Sequence, residues 1–176
     1  MNSYKIFQDW TRNSQNFKGQ FVMVNFRFAA IVQSSLILKF LFFWYLIYYR
    51  IFVIWILGVE LPWNLKIGKG LQVFHGQALV VNGGVILGEN CVLRHSTTIG
   101  NKTASDDIND CPKIGNNVDV GANSCILGKI TIGDNVVIGA GSIVIKDIPS
   151  NCVVVGNPSR IIKYIDKTSI LNQDYK

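Results

Sequence analysis

The chain contains two histidines, His75 and His95, and these side chains are the best suited to move a proton at neutral pH. A neutral imidazole accepts a proton and its conjugate acid returns it, because the unperturbed pKa of histidine is about 6.5. Either residue could therefore act as a general base. Whether it does depends on the elements that hold it, and the sequence that follows the two histidines is repetitive.

Residues 114–149 form six consecutive blocks of six residues, each opening with Ile or Val. The blocks read IGNNVD, VGANSC, ILGKIT, IGDNVV, IGAGSI and VIKDIP. A period of six fits neither an amphipathic helix nor an alternating strand, but it supplies one short strand and one turn. Three blocks then close a triangular coil of about 18 residues, with the opening Ile or Val pointing inward. We therefore predict a mainly β protein built on a left-handed parallel β-helix.

The same period continues upstream, with blocks that open at Ile67, Val73, Leu79, Val85, Cys91 and Thr97. Residues 97–113 then hold one block and eleven further residues, which we expect to leave the helix as a loop at about 101–111. The β-helix domain is predicted over residues 59–155. Residues 156–176 are expected to cap it as a short C-terminal helix or tail.

Residues 1–58 are predicted to form a helical, strongly apolar segment. Residues 36–58 carry nine of the chain's twenty aromatic residues. About 20 apolar residues could cross a bilayer, but Lys39 and Arg50 fall on one helical face, and a charge at the bilayer centre costs roughly 2.5–3.5 kcal/mol. Three interpretations stay open: a transmembrane helix, a helix lying in the membrane interface, and a helix packed on the β-helix or a partner subunit.

Charge and cysteine content restrict the functional class. Of the net charge of +6, residues 1–60 contribute +4. This positive charge favours an anionic surface over nucleic acid as the binding partner, because no basic cluster with interleaved aromatic residues is present. The four cysteines show no CxxC spacing, and the first twenty residues lack a secretory h-region. We expect a cytoplasmic protein with reduced thiols, and association with the inner face of the membrane stays open.

Five motifs between residues 59 and 163 resemble the hexapeptide-repeat acyltransferases. They are GVELPWNLKIGKGLQVFHG, TTIGNK, CPKIG, GAGSIVIKDIP and GNPSRII. Within that family the chain is most similar to serine acetyltransferase and to the short acetyltransferases of surface-polysaccharide (colanic acid or capsule type) gene clusters. The resemblance implies a homotrimer with acetyl-CoA, the cosubstrate, in the cleft between neighbouring subunits. No metal is expected, since two histidines are too few for a three-histidine site.

The resemblance also implies a set of site residues. His75 stands at the position of the family's catalytic base, and Glu60 stands where the family has the carboxylate that orients the base. Glu60 precedes His75 by fifteen residues, so one winding of the coil can bring the two side chains together. The positions that match coenzyme A contacts are Ala122, Ala140, Lys146 and Arg160. The alanines should stack one coil apart, and the two cations should meet the phosphates.

Two departures bear on the acceptor. Serine acetyltransferases carry an Arg-His pair before the PKI motif that follows the loop, whereas this chain has Asn109, Asp110 and Cys111. An amino acid carboxylate favours a bidentate Arg, so the loss indicates a sugar hydroxyl in surface polysaccharide biosynthesis. The chain also lacks the C-terminal Ile that docks into cysteine synthase, and we expect no such partner.

Three residues are candidate acceptor contacts: His95, Asp110 and Cys111. Cys111 as an acyl-carrying nucleophile is disfavoured, because only Lys113 lies nearby in sequence to activate its thiol. The acceptor is a small molecule or a glycan, and two alternatives to sugar O-acetylation stay open. One is serine O-acetylation in cysteine biosynthesis, and the other is a noncatalytic β-helix scaffold.

Overall fold

The computed structural model describes residues 5–103, 107 and 110–165. The chain begins with helices, continues as a parallel β-solenoid and ends its described part with one antiparallel strand. The helical part comprises a 3-10 turn at Thr11–Asn13, α1 at Phe17–Gln33, α2 at Leu36–Leu41, α3 at Phe43–Tyr48 and a π-helical segment at Tyr49–Ile56. The strands are Val59–Glu60 (β1), Lys66–Ile67 (β2), Gln72–Phe74 (β3), Leu79–Val81 (β4), Ile86–Leu87 (β5), Val92–Arg94 (β6), Thr98–Gly100 (β7), Lys113–Ile114 (β8), Asp119–Val120 (β9), Cys125–Leu127 (β10), Thr131–Ile132 (β11), Val136–Ile138 (β12), Ile143–Val144 (β13), Cys152–Val155 (β14) and Arg160–Tyr164 (β15).

Three sheets form the sides of the solenoid, and each side takes every third strand. We call them the β1 sheet (β1-β4-β7-β10-β13), the β2 sheet (β2-β5-β8-β11) and the β3 sheet (β3-β6-β9-β12-β14-β15). The opening Ile or Val of every block from residue 114 to 144 is at most 3% exposed. These side chains pair across three blocks of sequence, as Ile114 does with Ile132. The predicted solenoid of stacked coils is confirmed for these blocks.

The first coil is longer than the regular coil of three blocks. Val80 pairs with Thr98, which is the regular spacing of eighteen positions, whereas Ile67 pairs with Leu87, two positions beyond that spacing. The two extra residues lie in the corner between β3 and β4, where His75 and Gly76 have φ angles of 62° and 66°. The uninterrupted six-residue register that we extended back to Ile67 is therefore wrong in this coil.

The largest insertion lies between β7 and β8. Thr98 pairs with Cys125, nine positions beyond the regular spacing. The insertion falls at the predicted loop of residues 101–111, of which 104–106, 108 and 109 lie outside the described residues. The expected excess of eleven residues was too large by two, because two of them belong to the corner at His75.

Polar side chains of the N-terminal segment cover the open edge of the first coil. Asp9 accepts hydrogen bonds from the backbone N–H groups of Gly70 (2.7 Å) and Leu71 (3.1 Å). Asn13 accepts from the N–H of Val73 (3.1 Å) and donates to the carbonyl of Leu71 (2.9 Å). These contacts occupy backbone groups that a further strand would otherwise pair.

A buried ion pair holds this cover in place. Arg27 of α1 is 0% exposed and its Nε lies 2.7 Å from the carboxylate of Asp9, itself 1% exposed. Arg27 also donates to the carbonyl of Ile67 at 3.0 Å, and the hydroxyl of Tyr49 donates to the carbonyl of Leu61 at 2.8 Å. All three sides of the first coil are therefore bonded to the helical segment.

Residues 36–56 form two six-residue helices and a π-helical segment in place of one long helix. The chain departs from helical geometry at Phe42, where φ is −119°. Among the residues that the structure describes, no helix has both the length and the apolarity to cross a bilayer. Tyr45, Tyr49 and Val53 are buried, so one face of the segment packs on the body of the protein.

The C-terminal segment contradicts the expected helix or tail where it is described. Arg160–Tyr164 forms β15, which pairs antiparallel with β14. A turn at residues 156–159 reverses the chain, and β15 then covers the last edge of the β3 sheet. An uncovered strand edge leaves unpaired backbone groups, which explains why a strand caps this end. Residues 166–176 lie outside the described part.

Arg27→Met leaves the buried Asp9 carboxylate without its charged partner. We expect the free energy of unfolding to fall by about 3–5 kcal/mol, measured by urea denaturation followed by circular dichroism. Lys69→Met is the matched control, because Lys69 is 65% exposed and lies 3.4 Å from Glu89, and exposed pairs contribute about 0–1 kcal/mol. Equal losses in the two variants would contradict the anchoring role.

Candidate active site

The predicted base and the two predicted coenzyme A-contacting alanines lie in one corner of the solenoid, where the β3 sheet turns into the β1 sheet. Strand pairing sets His95 level with Ala122, and Ala122 level with Ala140, in successive coils. In the first coil Gln77 takes the equivalent position, since Val80 pairs with Thr98 and the N–H of Ser96 donates to the carbonyl of Gln77 at 2.8 Å. His75 follows β3 directly and lies in the two-residue bulge beside this column. The N–H of Gly141 donates to the carbonyl of Ala122 at 2.9 Å, one of the backbone bonds that join these coils. We call the edge formed by His75, His95, Ala122 and Ala140 the histidine corner. Since coils rise by about 4.8 Å, it is about 14 Å long.

The two histidines meet at one end of the corner. Their ring centroids are 5.8 Å apart and the rings are inclined by 74°. His75 is exposed and His95 is partly buried. Nδ1 of His95 is buried and has no hydrogen-bond partner among the described residues. Nε2 is therefore the nitrogen of His95 that is placed to meet a ligand.

Arg94 ties together the two strands that lead into the histidines. Its guanidinium forms an ion pair with the carboxylate of Asp119 in the next coil. It also lies over the ring of Phe74, 5.7 Å from the ring centroid. Because Phe74 precedes His75 and Arg94 precedes His95, the contact joins the two strands directly before the imidazoles.

Glu60 lies on the outer face of the β1 sheet, in the same coil as His75. Its carboxylate is exposed, and within the described residues it makes no hydrogen bond to the imidazole of His75. The structure thus brings the predicted pair into one coil without joining them. The outward residues stacked on Glu60, one per coil, are Val80, Thr98, Cys125 and Ile143.

A groove of about 270 Å³ runs along this face from Glu60 towards the loop insertion. Asn82 and Asn101 contribute amides to it and Thr98 a hydroxyl, while Val80 and Leu127 supply aliphatic walls. The side chain of Asn82 donates to that of Asn101 at 3.0 Å. Such a lining offers neutral donors and acceptors beside a single carboxylate, Glu60.

The other two predicted acceptor contacts lie elsewhere. Asp110 accepts a hydrogen bond from Lys129 at 2.9 Å, and this bond raises the pKa of the exposed Lys129 ammonium. Cys111 is 2% exposed and belongs to the hydrophobic core. Neither residue lines the groove, and neither His75 nor His95 lines it.

The two predicted phosphate contacts lie in the coil that follows Ala140. Lys146 comes two residues after β13, and Arg160 opens β15. Both side chains are exposed. Neither forms an ion pair with another described residue, so both can meet an anion.

Three groove residues were not anticipated from the sequence, namely Asn82, Thr98 and Asn101. The contact of Arg94 with Phe74, outside the groove, was not anticipated either. Alternation in the short strands does indicate that Val80 and Thr98 point outward. The sequence carries no local signal for which of the three outer faces meets a ligand, because inward and outward residues alternate in the same way in all three sheets.

The comparisons with known proteins agree with this geometry. Residues 111–146 match the family described as bacterial transferase hexapeptide (six repeats). WcaB of Escherichia coli (strain K12), provisionally named a colanic acid biosynthesis acetyltransferase, is 44% identical over 116 residues, which cover 66% of this chain and 70% of WcaB. The chain belongs to the hexapeptide-repeat acetyltransferases. It is an enzyme of the acyltransferase class.

Serine acetyltransferases are also similar to this hexapeptide-repeat acetyltransferase. Serine acetyltransferase 1, chloroplastic, of Arabidopsis thaliana is 47% identical over 105 residues, which cover 60% of this chain and 33% of the plant protein. The structure of the Neisseria gonorrhoeae serine acetyltransferase has a TM-score of 0.78 and 28% identity, covering 97% of this chain and 70% of that chain. The Brucella abortus strain S19 enzyme, solved with coenzyme A, has a TM-score of 0.75 and 26% identity, covering 92% and 67%.

The four thiols of this acetyltransferase should differ in reactivity. Burial raises the pKa of the Cys91 thiol to about 11, so it holds almost no reactive thiolate at about pH 8. Cys125 is half-buried on the groove face, whereas Cys91, Cys111 and Cys152 are buried. We expect iodoacetamide to label Cys125 first, as measured by peptide mass spectrometry over time. A Cys125→Ser variant should lack the fast phase, and faster labelling of Cys91 would contradict the described packing.

Proposed function

We propose that this enzyme transfers an acetyl group from acetyl-CoA to a sugar hydroxyl, with His75 as the general base. The observation that carries the proposal is the histidine corner, where His75 lies beside His95 at one end of the edge that holds Ala122 and Ala140. The alanines are small, and an added Cβ at the neighbouring Gly141 meets no atom within 4 Å. The corner is therefore open enough for an extended arm to lie along it.

The residues of this chain suit a direct transfer. His75 takes the proton of the acceptor hydroxyl as the oxygen attacks the thioester carbonyl. The C–S bond then breaks, and the imidazolium of His75 returns the proton to the leaving thiolate. In the proposal Glu60 orients the imidazole and stabilises its charge, which needs a closer approach of the carboxylate in the substrate-bound enzyme, where catalytic hydrogen bonds often tighten.

The cosubstrate would lie along the histidine corner. Backbone groups at Ala122 and Ala140 would bind the pantetheine arm, and Lys146 and Arg160 would bind the phosphates. Such a pose covers Cys125, three residues after Ala122 in sequence. Addition of acetyl-CoA should therefore slow the labelling of Cys125 and leave the buried cysteines unchanged.

The groove beside Glu60 favours a sugar as the acceptor. Its amides and hydroxyl are neutral hydrogen-bonding groups of the kind that bind sugar hydroxyls, and the groove contains no cation for an amino acid carboxylate among its lining residues. The similarity to WcaB points in the same direction. We place the reaction in surface polysaccharide biosynthesis.

Serine O-acetylation is the second candidate. Two observations favour it: the match to serine acetyltransferases over 60% of the chain and the structural match over 97%. Against it stand Asp110 and Cys111, which offer no cation where a carboxylate clamp is expected.

A homotrimer in the cytoplasm completes the proposal. Outward aliphatic residues such as Val80 (37% exposed) and Val137 (36% exposed) offer apolar area for contacts between β-helices, and a neighbour would turn the open corner into a cleft. The four cysteines form no disulfide, and all lie within the described residues. Reduced thiols are the usual state in the cytoplasm.

His75→Ala should lower kcat by at least about 100-fold, because the acceptor hydroxyl loses its base. Thiol release from acetyl-CoA, assayed with a panel of sugars and with serine, measures this. Gln77→Ala is the matched control, since Gln77 is exposed in the same corner. Glu60→Gln should also lower kcat, whereas Glu89→Gln should not. Full activity of the His75 variant would rule out the mechanism, and release with serine alone would select the second candidate.

His95 should contact the acceptor through Nε2. The amide nitrogen of Gln reaches about the position of Nε2, and that of Asn reaches about the position of the buried Nδ1. We therefore expect His95→Gln to keep most activity and His95→Asn to raise the acceptor KM by about 2–10-fold, the value of one neutral hydrogen bond. The KM for acetyl-CoA should not change. Equal effects of the two variants would show that His95 has only a packing role.

A further inference from the structure

A large apolar surface lies on the outer side of α2, α3 and the π-helical segment. Ten large apolar side chains of residues 36–56 are between 43% and 83% exposed. The most exposed are Leu36 and Phe40 (83% each), followed by Ile37 and Trp55 (71% each). We call this surface the apolar patch. An exposed patch of this size on a soluble protein indicates an interaction site.

The opposite side of the same segment is fixed to the body of the protein. The hydroxyl of Tyr45 donates to the side chain of Asn25 at 2.8 Å, and that of Tyr49 donates to the carbonyl of Leu61 at 2.8 Å. Val53 is fully buried. The segment therefore cannot turn its apolar patch inward without breaking buried hydrogen bonds, and the patch needs cover from another molecule.

Apart from the buried pair of Asp9 and Arg27, the charged residues of the helical segment that carries the patch are all cations. Asp9 is the one carboxylate in residues 1–59, and it is buried against Arg27. The remaining cations of this region are Lys5, Arg12, Lys18, Lys39 and Arg50. Lys39 and Arg50 lie within the patch segment itself, with Arg50 exposed over the ring of Trp63. The surface is thus apolar and cationic, with no described carboxylate exposed before Glu60.

We propose that the apolar patch lies in the interface of an anionic membrane. Tryptophan side chains such as Trp44 and Trp55 favour the headgroup boundary, and lysine or arginine beside them meets lipid phosphates. The short helices cannot cross the bilayer, so they lie in its plane. A second copy of the patch is a poorer occupant, because a two-fold contact would bring the cations of both copies together with no carboxylate to pair them.

Vesicle co-sedimentation of the full chain tests the proposal. Vesicles of phosphatidylcholine alone and of phosphatidylcholine with phosphatidylglycerol are compared at low and high salt. The chain should bind the anionic vesicles, and binding should weaken with salt. The triple variant Phe40→Ser, Trp44→Ser, Trp55→Ser should bind about tenfold more weakly or not at all. Lys39→Gln with Arg50→Gln should lose the preference for anionic vesicles.

The matched control replaces Ile161 and Ile162 of β15 by Ser, since they are 37% and 63% exposed at the other end of the solenoid. It should bind vesicles like the parent chain. Thiol release with a soluble acceptor should be unchanged in the triple variant, which separates this proposal from the proposed function. Absence of binding by the parent chain overturns the proposal. So does a smaller oligomer of the triple variant by light scattering with unchanged vesicle binding, which would assign the patch to a second copy.

Discussion

The fold depends on how the open edge of the first coil is covered. A solenoid of parallel strands leaves a complete coil of backbone N–H and C=O groups unpaired at each end, and such an edge invites pairing with another chain. Here the side chain of Asp9 binds the backbone just before β3 and that of Asn13 binds β3 itself, as a neighbouring strand would. Arg27 neutralises Asp9 and reaches β2, and Tyr49 reaches the end of β1. The helical segment is therefore the structural end of the β-helix, and the two parts share one hydrophobic core beside this buried network.

The histidine corner follows from the same stacking. Strands in register force equivalent residues of successive coils into columns, so His95 and the two alanines that we propose as cofactor contacts align along one edge. The exception is the two-residue bulge at His75 and Gly76, both in the left-handed region of φ. It lengthens the corner only in the first coil, and it exposes His75, the residue that we propose as the base. The regular coils above it keep their small corner residues Ala122 and Ala140.

The sequence predicted the solenoid but not this bulge, and the reason is physical. Each side of a coil buries two residues spaced by two, such as Leu71 and Val73, or Leu79 and Val81, and all four are at most 2% exposed. A count of six from Val73, the second inward residue of its side, therefore reaches Leu79, the first inward residue of the next side. Because Leu79 is also aliphatic and buried, the sequence pattern does not show the change of register. The two extra residues at His75 were therefore counted in the predicted loop, which was too long by two. Strand β15 and the groove amides were not predicted for a different reason. Which segment covers a sheet edge, and which outer face forms a groove, depend on tertiary contacts that local sequence does not show.

The position of the first coil connects the two proposals. His75 and Glu60 both belong to the coil on which the helical segment packs, and the carbonyl of Leu61, next to Glu60 in sequence, bonds Tyr49 of that segment. The residues that we propose as coenzyme A contacts lie in later coils, with Lys146 and Arg160 at the far end of the solenoid. If the apolar patch rests on lipid, the catalytic coil is the one nearest the membrane. An acceptor sugar carried on a lipid would then approach His75 from the membrane side, while the acetyl donor approaches along the histidine corner from the opposite end.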